Sequence, residues 1–174
     1  MQKMKVCVQG NTYQYEKGTT FLQLARKWQD KYEDAIILAV FNNKLIELGQ
    51  AIPGDGDIAF LTTKDKNGRR AYRRSVVFLM QRALQQMYPD GAEILHVEHS
   101  LGAGYYCRME GRDVIDSAWL DDLKKEMLSL VEKNLTIEKK TMKTEDARKL
   151  FAKCGMQDKE RLMHYRSSSN CNVY

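Results

Sequence analysis

The first sixty residues contain the pattern that most restricts the fold of this chain. An apolar run from Met4 to Val8, a Gly-Asn turn and a stretch of β-forming residues predict a hairpin. Four apolar residues at helical spacing follow a threonine suited to cap a helix: Phe21, Leu24, Ala25 and Trp28. Apolar runs predict three more strands, at residues 36–41, 45–48 and 58–61. The order β-β-α-β-β-β is typical of one sheet curled around one helix.

This region resembles the TGS domain, a ubiquitin-like β-grasp module of threonyl-tRNA synthetases, some GTPases and some other enzymes. The resemblance covers Met4 to Thr63. Its most specific parts are the KGTT segment at residues 17–20 and the NNKL turn at residues 42–45. It implies a β-grasp domain over residues 1–63.

The net charge of +5 is concentrated in residues 64–74. This segment holds six basic residues and one acidic residue, and the rest of the chain is balanced with 22 of each sign. A charge run of this kind is either a solvated linker or a patch that faces phosphates. Candidate phosphate-binding or nucleic-acid-binding residues are Lys64, Lys66, Arg69, Arg70, Arg73 and Arg74.

The second half of the chain mixes helices and strands. Residues 75–87 predict a helix buried over a wide stripe, which ends at the Tyr-Pro-Asp-Gly turn. Two strands are predicted around a glycine-containing return, at residues 93–98 and 105–109. A long helix, an edge strand, two short helices and a final turn and strand are predicted at residues 116–134, 135–140, 144–155, 157–166 and 167–174. A strand on the last residues indicates a fragment of a longer protein.

Residues 75–174 resemble the second additional, or editing, domain of threonyl-tRNA synthetases, here incomplete, with 64–74 as a basic linker. In that family a helix carries an HSxxH motif, and a strand pair ends in GFYYD. Here the corresponding segments are 74–78, Arg-Ser-Val-Val-Phe, and 104–107, Gly-Tyr-Tyr-Cys. The resemblance implies a helix–hairpin cleft lined by Ser75, His99, Gly102, Gly104, Tyr105 and Tyr106.

The two histidines of the family motif are replaced by Arg74 and Phe78. General acid–base work near neutral pH needs a group that exchanges a proton there, and neither a guanidinium nor a phenyl ring does so. We therefore expect no catalytic residue and no editing hydrolysis in this chain. Arg74 is suited instead to hold a phosphate or carboxylate through a two-pronged hydrogen bond.

His96, His99 and Cys107 are the candidates for a metal site. Residues three apart on a continuous strand face opposite ways, so the histidines would chelate a metal only if the strand ended at Val97. We therefore predict no metal. We also predict no cofactor in this chain, because it has no P-loop motif. Four widely spaced cysteines and the lack of an apolar run of about 20 residues favour a cytoplasmic protein with no membrane partner.

The sequence at residues 99–111 and 164–174 resembles that of bacterial uridine kinase-like proteins. In those proteins the same two domains precede a P-loop kinase domain. That resemblance implies the non-catalytic N-terminal module of a nucleoside kinase. ATP, Mg and a downstream kinase domain would then belong to the parent protein, and RNA or a nucleotide would bind the basic linker. One alternative is a threonyl-tRNA synthetase fragment, or a relative of one, that binds tRNA. The other is a scaffold without a ligand.

Overall fold

The computed structural model describes residues 3–102 and 104–174 of the chain. The chain divides into two compact units, Met1–Met127 and Leu128–Tyr174. Helices and strands are mixed throughout, so the predicted α+β class is confirmed. Among the described residues, no helix is both long enough and apolar enough to span a bilayer.

A five-stranded sheet forms the first part of the chain. Its strands β1 to β5 are Lys3–Val8, Asn11–Glu16, Ile36–Phe41, Lys44–Glu47 and Gly56–Thr62. Their order is β2-β1-β5-β3-β4, in which β1 and β5 are parallel and the other neighbours are antiparallel. Together with helix α1, Phe21–Trp28, this is the β-grasp arrangement that the resemblance implied.

Helix α1 begins where the sequence predicts. The Thr20 hydroxyl accepts a hydrogen bond from the Gln23 amide at 3.2 Å, and the Gln23 side chain accepts one from the Thr20 amide at 2.9 Å. This capping box satisfies two amides that have no partner within the helix. Phe21, Leu24 and Ala25 are buried in the core beneath the sheet, as predicted.

Helix α2 spans Lys66–Met87, so the predicted start at Ser75 is wrong. Most of the segment predicted as a linker is the first part of this helix. Lysine and arginine are good helix formers, and the basic run therefore continues the helix although it has no apolar stripe. The predicted domain boundaries remain a prediction.

The wide buried stripe predicted for α2 is found only in part. The buried residues of α2 are Gly68, Ala83 and Leu84, whereas Val76 and Phe78 are each 36% exposed. Gly68 lies against the Thr62 carbonyl at the end of β5. Val77, Met80 and Met87 are half-buried, so full burial within the predicted stripe is limited to Ala83 and Leu84.

Strands β6, Ile94–Leu101, and β7, Gly104–Glu110, form an antiparallel hairpin. The pairing shifts between Val97 and His99, which leaves Glu98 as an extra residue in β6. Such a bulge changes the side on which the following residues lie. Helix α3, Ser117–Glu132, follows the hairpin. Trp119, Leu123 and Leu130 of this helix are buried, whereas Leu120 is 52% exposed.

The second unit pairs β8, Lys140–Lys143, with β9, Asn170–Val173, and adds helices α4, Thr144–Lys153, and α5, Gln157–His164. The final strand is confirmed. The prediction of a strand over residues 135–140 is wrong. Strand β9 pairs with residues 140–143, and the residues before Lys140 have no pairing with β9. A small core forms around Ala147, Met163 and Cys171.

Candidate nucleic-acid interface

Four basic residues form a stripe along the first half of α2. Lys66, Arg70, Arg73 and Arg74 are spaced i, i+4, i+7 and i+8, which places them within an arc of about 100° on one side of the helix. Three are exposed and Arg73 is half-buried. None of the four has a hydrogen bond or ion pair with any described residue. We call these four residues the basic stripe.

The other two predicted phosphate-binding residues are engaged by the fold. Lys64 forms an ion pair with Glu33 and a second with Asp34 at 3.5 Å. The hydrogen bond to Glu33 and the charge of Asp34 raise the pKa of Lys64 above its usual value. Arg69 donates to the carbonyl oxygens of Lys64 at 3.1 Å and Thr63 at 3.3 Å. These contacts connect the residues just before α2 and its first turn to the rest of the fold. Lys64 and Arg69 therefore help to position the basic stripe and are not counted among its cations.

Arg74 and Phe78, at the predicted motif positions, lie one helical turn apart on α2 and are exposed. The Ser75 hydroxyl between them donates to the Ala71 carbonyl at 3.2 Å, within the same helix. Across the described ranges, no hydrogen bond, ion pair or ring contact joins any of the three to the β6–β7 hairpin. Position 74 therefore presents a cation without a described partner, and position 78 presents an aromatic ring. Neither position carries a side chain suited to acid–base catalysis.

The hairpin separates the residues predicted to line one cleft. His99 is paired with Tyr106, and their rings are stacked with centroids 5.1 Å apart and planes 28° apart. Tyr105 precedes Tyr106 in β7 and therefore lies on the opposite face of the hairpin. Tyr105 therefore does not share a hairpin face with His99 and Tyr106, and the cleft itself remains a prediction. Gly102 follows the end of β6 and Gly104 is the first residue of β7, and both are exposed.

The bulge at Glu98 also changes the relation of the two histidines. His96 pairs with Arg108 and His99 with Tyr106, so both histidines lie on one face although β6 continues to Leu101. The prediction that a continuous strand separates them is wrong. Cys107 lies on the other face, and His96 Nε2 is 2.9 Å from Glu110 Oε2. Within residues 3–102 and 104–174, no group of three or more histidine, cysteine or acidic side chains is arranged to hold a metal.

A cluster that the sequence did not reveal connects four parts of the first unit. Arg112 Nε is 2.9 Å from both carboxylate oxygens of Glu93, and this hydrogen-bonded pair raises the pKa of Arg112. Trp119 Nε1 donates to the Tyr88 hydroxyl at 3.0 Å. The Arg112 guanidinium lies 5.5 Å from the centre of the Trp119 ring. Tyr88 ends α2, Glu93 precedes β6, Arg112 follows β7 and Trp119 begins α3. The cluster therefore fixes the hairpin between two helices.

No family model matches this chain. It is similar to the threonine–tRNA ligase of Acholeplasma laidlawii, with 31% identity over 143 residues, which cover 82% of this chain and 22% of the ligase. The ligase of Parabacteroides distasonis is 27% identical over 166 residues, covering 92% and 25%. That of Staphylococcus saprophyticus is 27% identical over 143 residues, covering 82% and 22%. Most of this chain is thus related to a region of threonine–tRNA ligases, and it spans a quarter or less of their length.

These relatives support the resemblance to threonyl-tRNA synthetases. They do not support the resemblance to uridine kinase-like proteins, and they favour the tRNA-binding alternative over the nucleoside kinase interpretation.

Proposed function

We propose that this chain is a tRNA-binding region of a threonine–tRNA ligase, or of a relative of one. The observation that carries the proposal is the basic stripe, whose four cations project from one side of α2 without a partner among the described residues. The similarity to threonine–tRNA ligases supports tRNA as the nucleic acid.

The stripe is suited to phosphates and not to base edges. It extends about 12 Å along the helix axis from Lys66 to Arg74, and it contains only cations. Side chains do not read bases in the deep, narrow major groove of an RNA helix, so a basic helix binds such RNA through its backbone. Binding of this kind releases counterions and depends little on sequence.

We expect an Arg70→Ala, Arg73→Ala, Arg74→Ala variant to bind a threonine tRNA at least about tenfold more weakly than the natural chain, because it loses most of the phosphate contacts. Fluorescence anisotropy with labelled tRNA measures the difference. The three side chains are exposed or half-buried, so circular dichroism should show an unchanged fold.

A matched control removes the same charge from exposed positions outside α2: Lys31→Ala, Lys44→Ala and Lys124→Ala. This control should retain nearly all of the affinity. An equal loss in both variants would show that only net charge matters and would contradict the proposed interface. Absence of tRNA binding by the natural chain would favour the ligand-free scaffold.

We also propose that the chain does not hydrolyse mischarged tRNA. Arg74 and Phe78 cannot exchange a proton near neutral pH, and the Ser75 hydroxyl is bonded to its own helix. Mischarged threonine tRNA should therefore lose its amino acid at the spontaneous rate in the presence of the chain. An editing-competent threonine–tRNA ligase serves as the positive control. Acceleration by the natural chain that disappears in a Phe78→Ala variant would show that the site is active after all.

A further inference from the structure

The β6–β7 hairpin carries a stacked pair of exposed rings on the face opposite Tyr105. Tyr106 is 50% exposed and His99 is exposed. Their rings are stacked with a centroid separation of 5.1 Å. The bulge at Glu98 creates this pair, because it shifts the register so that His99 lies directly opposite Tyr106. Two exposed aromatic rings held in register on a hairpin provide a preformed planar surface.

The polar residues beside the ring pair already have side-chain partners, whereas the two rings have no hydrogen-bond partner among the described residues. Arg108 Nε lies 3.3 Å from Glu98, and His96 lies 2.9 Å from Glu110. Arg108 and His96, which share the ring pair's face of the hairpin, thus each contact a neighbouring carboxylate. His99 and Tyr106 have no hydrogen bond with any residue in the described part of the chain. Their polar atoms and outer ring faces therefore remain available to a ligand.

We propose that the His99–Tyr106 ring pair stacks an unpaired nucleobase of the RNA that the basic stripe holds; this rests on the proposed function. Base–aromatic stacking is tolerant of sequence, because every base has a π-face. Helix α2 connects the two sites within the first unit and rises about 15 Å from Arg74 to Leu84. An RNA with its duplex backbone on the stripe and a short single-stranded end would reach both. This stacking surface lies on the hairpin face opposite Tyr105, so it is not the surface that Tyr105 lines.

The test compares two RNA hairpins that share one duplex, the first blunt and the second with a short single-stranded 3′ end, by anisotropy with the whole chain. The natural chain should bind the tailed RNA more tightly. Tyr106→Leu should reduce that gain about tenfold, in the range found for loss of one stacked base, and leave blunt-duplex binding unchanged. Tyr106→Phe keeps the ring and should keep the gain. Tyr165→Leu is the matched control, because Tyr165 is 78% exposed and contacts His164 edge-on instead of stacking.

Equal binding of the tailed RNA by the natural chain and Tyr106→Leu would overturn the inference. Equal binding of the tailed and the blunt RNA by the natural chain would also overturn the inference. Its binding of the blunt duplex would in that case still support the proposed function. If neither RNA binds, the proposed function fails and the stacking site fails with it. Loss of blunt-duplex binding in Tyr106→Leu would indicate a folding defect, and Tyr106→Phe would then decide whether the ring is needed for the gain.

Discussion

A Gly68→Ala variant is expected to lose about 3 kcal/mol of folding free energy, although alanine is normally the better helix former. A Cβ atom at Gly68 would lie 2.0 Å from the Thr62 carbonyl oxygen and 2.8 Å from its carbon. Both are backbone atoms, so no rotation of a side chain relieves the clash. The gain in helix propensity, about 1 kcal/mol, is smaller than the cost of moving α2 away from β5. Urea denaturation followed by circular dichroism measures the change.

Gly49→Ala is the matched control for this prediction, because nothing lies within 4 Å of a Cβ atom at that position. It should change the stability by less than about 1 kcal/mol. A Gly68→Ala chain as stable as the natural one would show that α2 does not rest on the end of β5, and the position of the basic stripe would then be wrong as well.

Trp119→Ala is expected to cost about 3–5 kcal/mol, the range for removing a large buried aromatic side chain. Trp119 is 7% exposed, and its indole donates to Tyr88 and lies over Arg112. Removal leaves a cavity and takes a partner from each of these two residues. The free energy of unfolding in urea gives the size of the loss.

Trp119→Phe tests the contribution of the hydrogen bond to Tyr88, because it keeps an aromatic ring and removes the indole N–H. It should cost about 1–3 kcal/mol, because the smaller ring leaves part of the indole's space empty and the Tyr88 hydroxyl keeps only its contact with Arg112 at 3.4 Å. If Trp119→Ala costs no more than a surface substitution, the Tyr88–Glu93–Arg112–Trp119 cluster does not hold the hairpin.

The β-grasp part of the fold was predictable because its signals are local. The turn after Val8, the cap at Thr20 and the apolar spacing from Phe21 each specify one element, and all of them agree with one sheet and one helix. The start of α2 was not predictable in the same way. Its first turns carry cations and no apolar stripe, and the contact that anchors them is the approach of Gly68 to a carbonyl of β5.

The candidate site depends on pairing that no single segment encodes. A one-residue bulge at Glu98 decides that His96 and His99 share a face, whereas simple alternation separates them. The cluster around Arg112 joins residues that are far apart in sequence, so spacing alone gave no signal for it. The charge of residues 64–74 was visible in the sequence. The structure adds that Lys64 is paired with Glu33 and that Arg69 donates to the Lys64 carbonyl. The four cations of the basic stripe have no partner among the described residues.

The most direct test of the central proposal is the salt dependence of tRNA binding. Affinity for a threonine tRNA is measured over a series of salt concentrations, for the natural chain and for the Arg70→Ala, Arg73→Ala, Arg74→Ala variant. Each phosphate contact contributes about 0.9 to the slope of log affinity against log salt. The variant should therefore show a slope smaller by about 3. Two equal slopes would show that the basic stripe does not contact the RNA backbone and would contradict the proposed function.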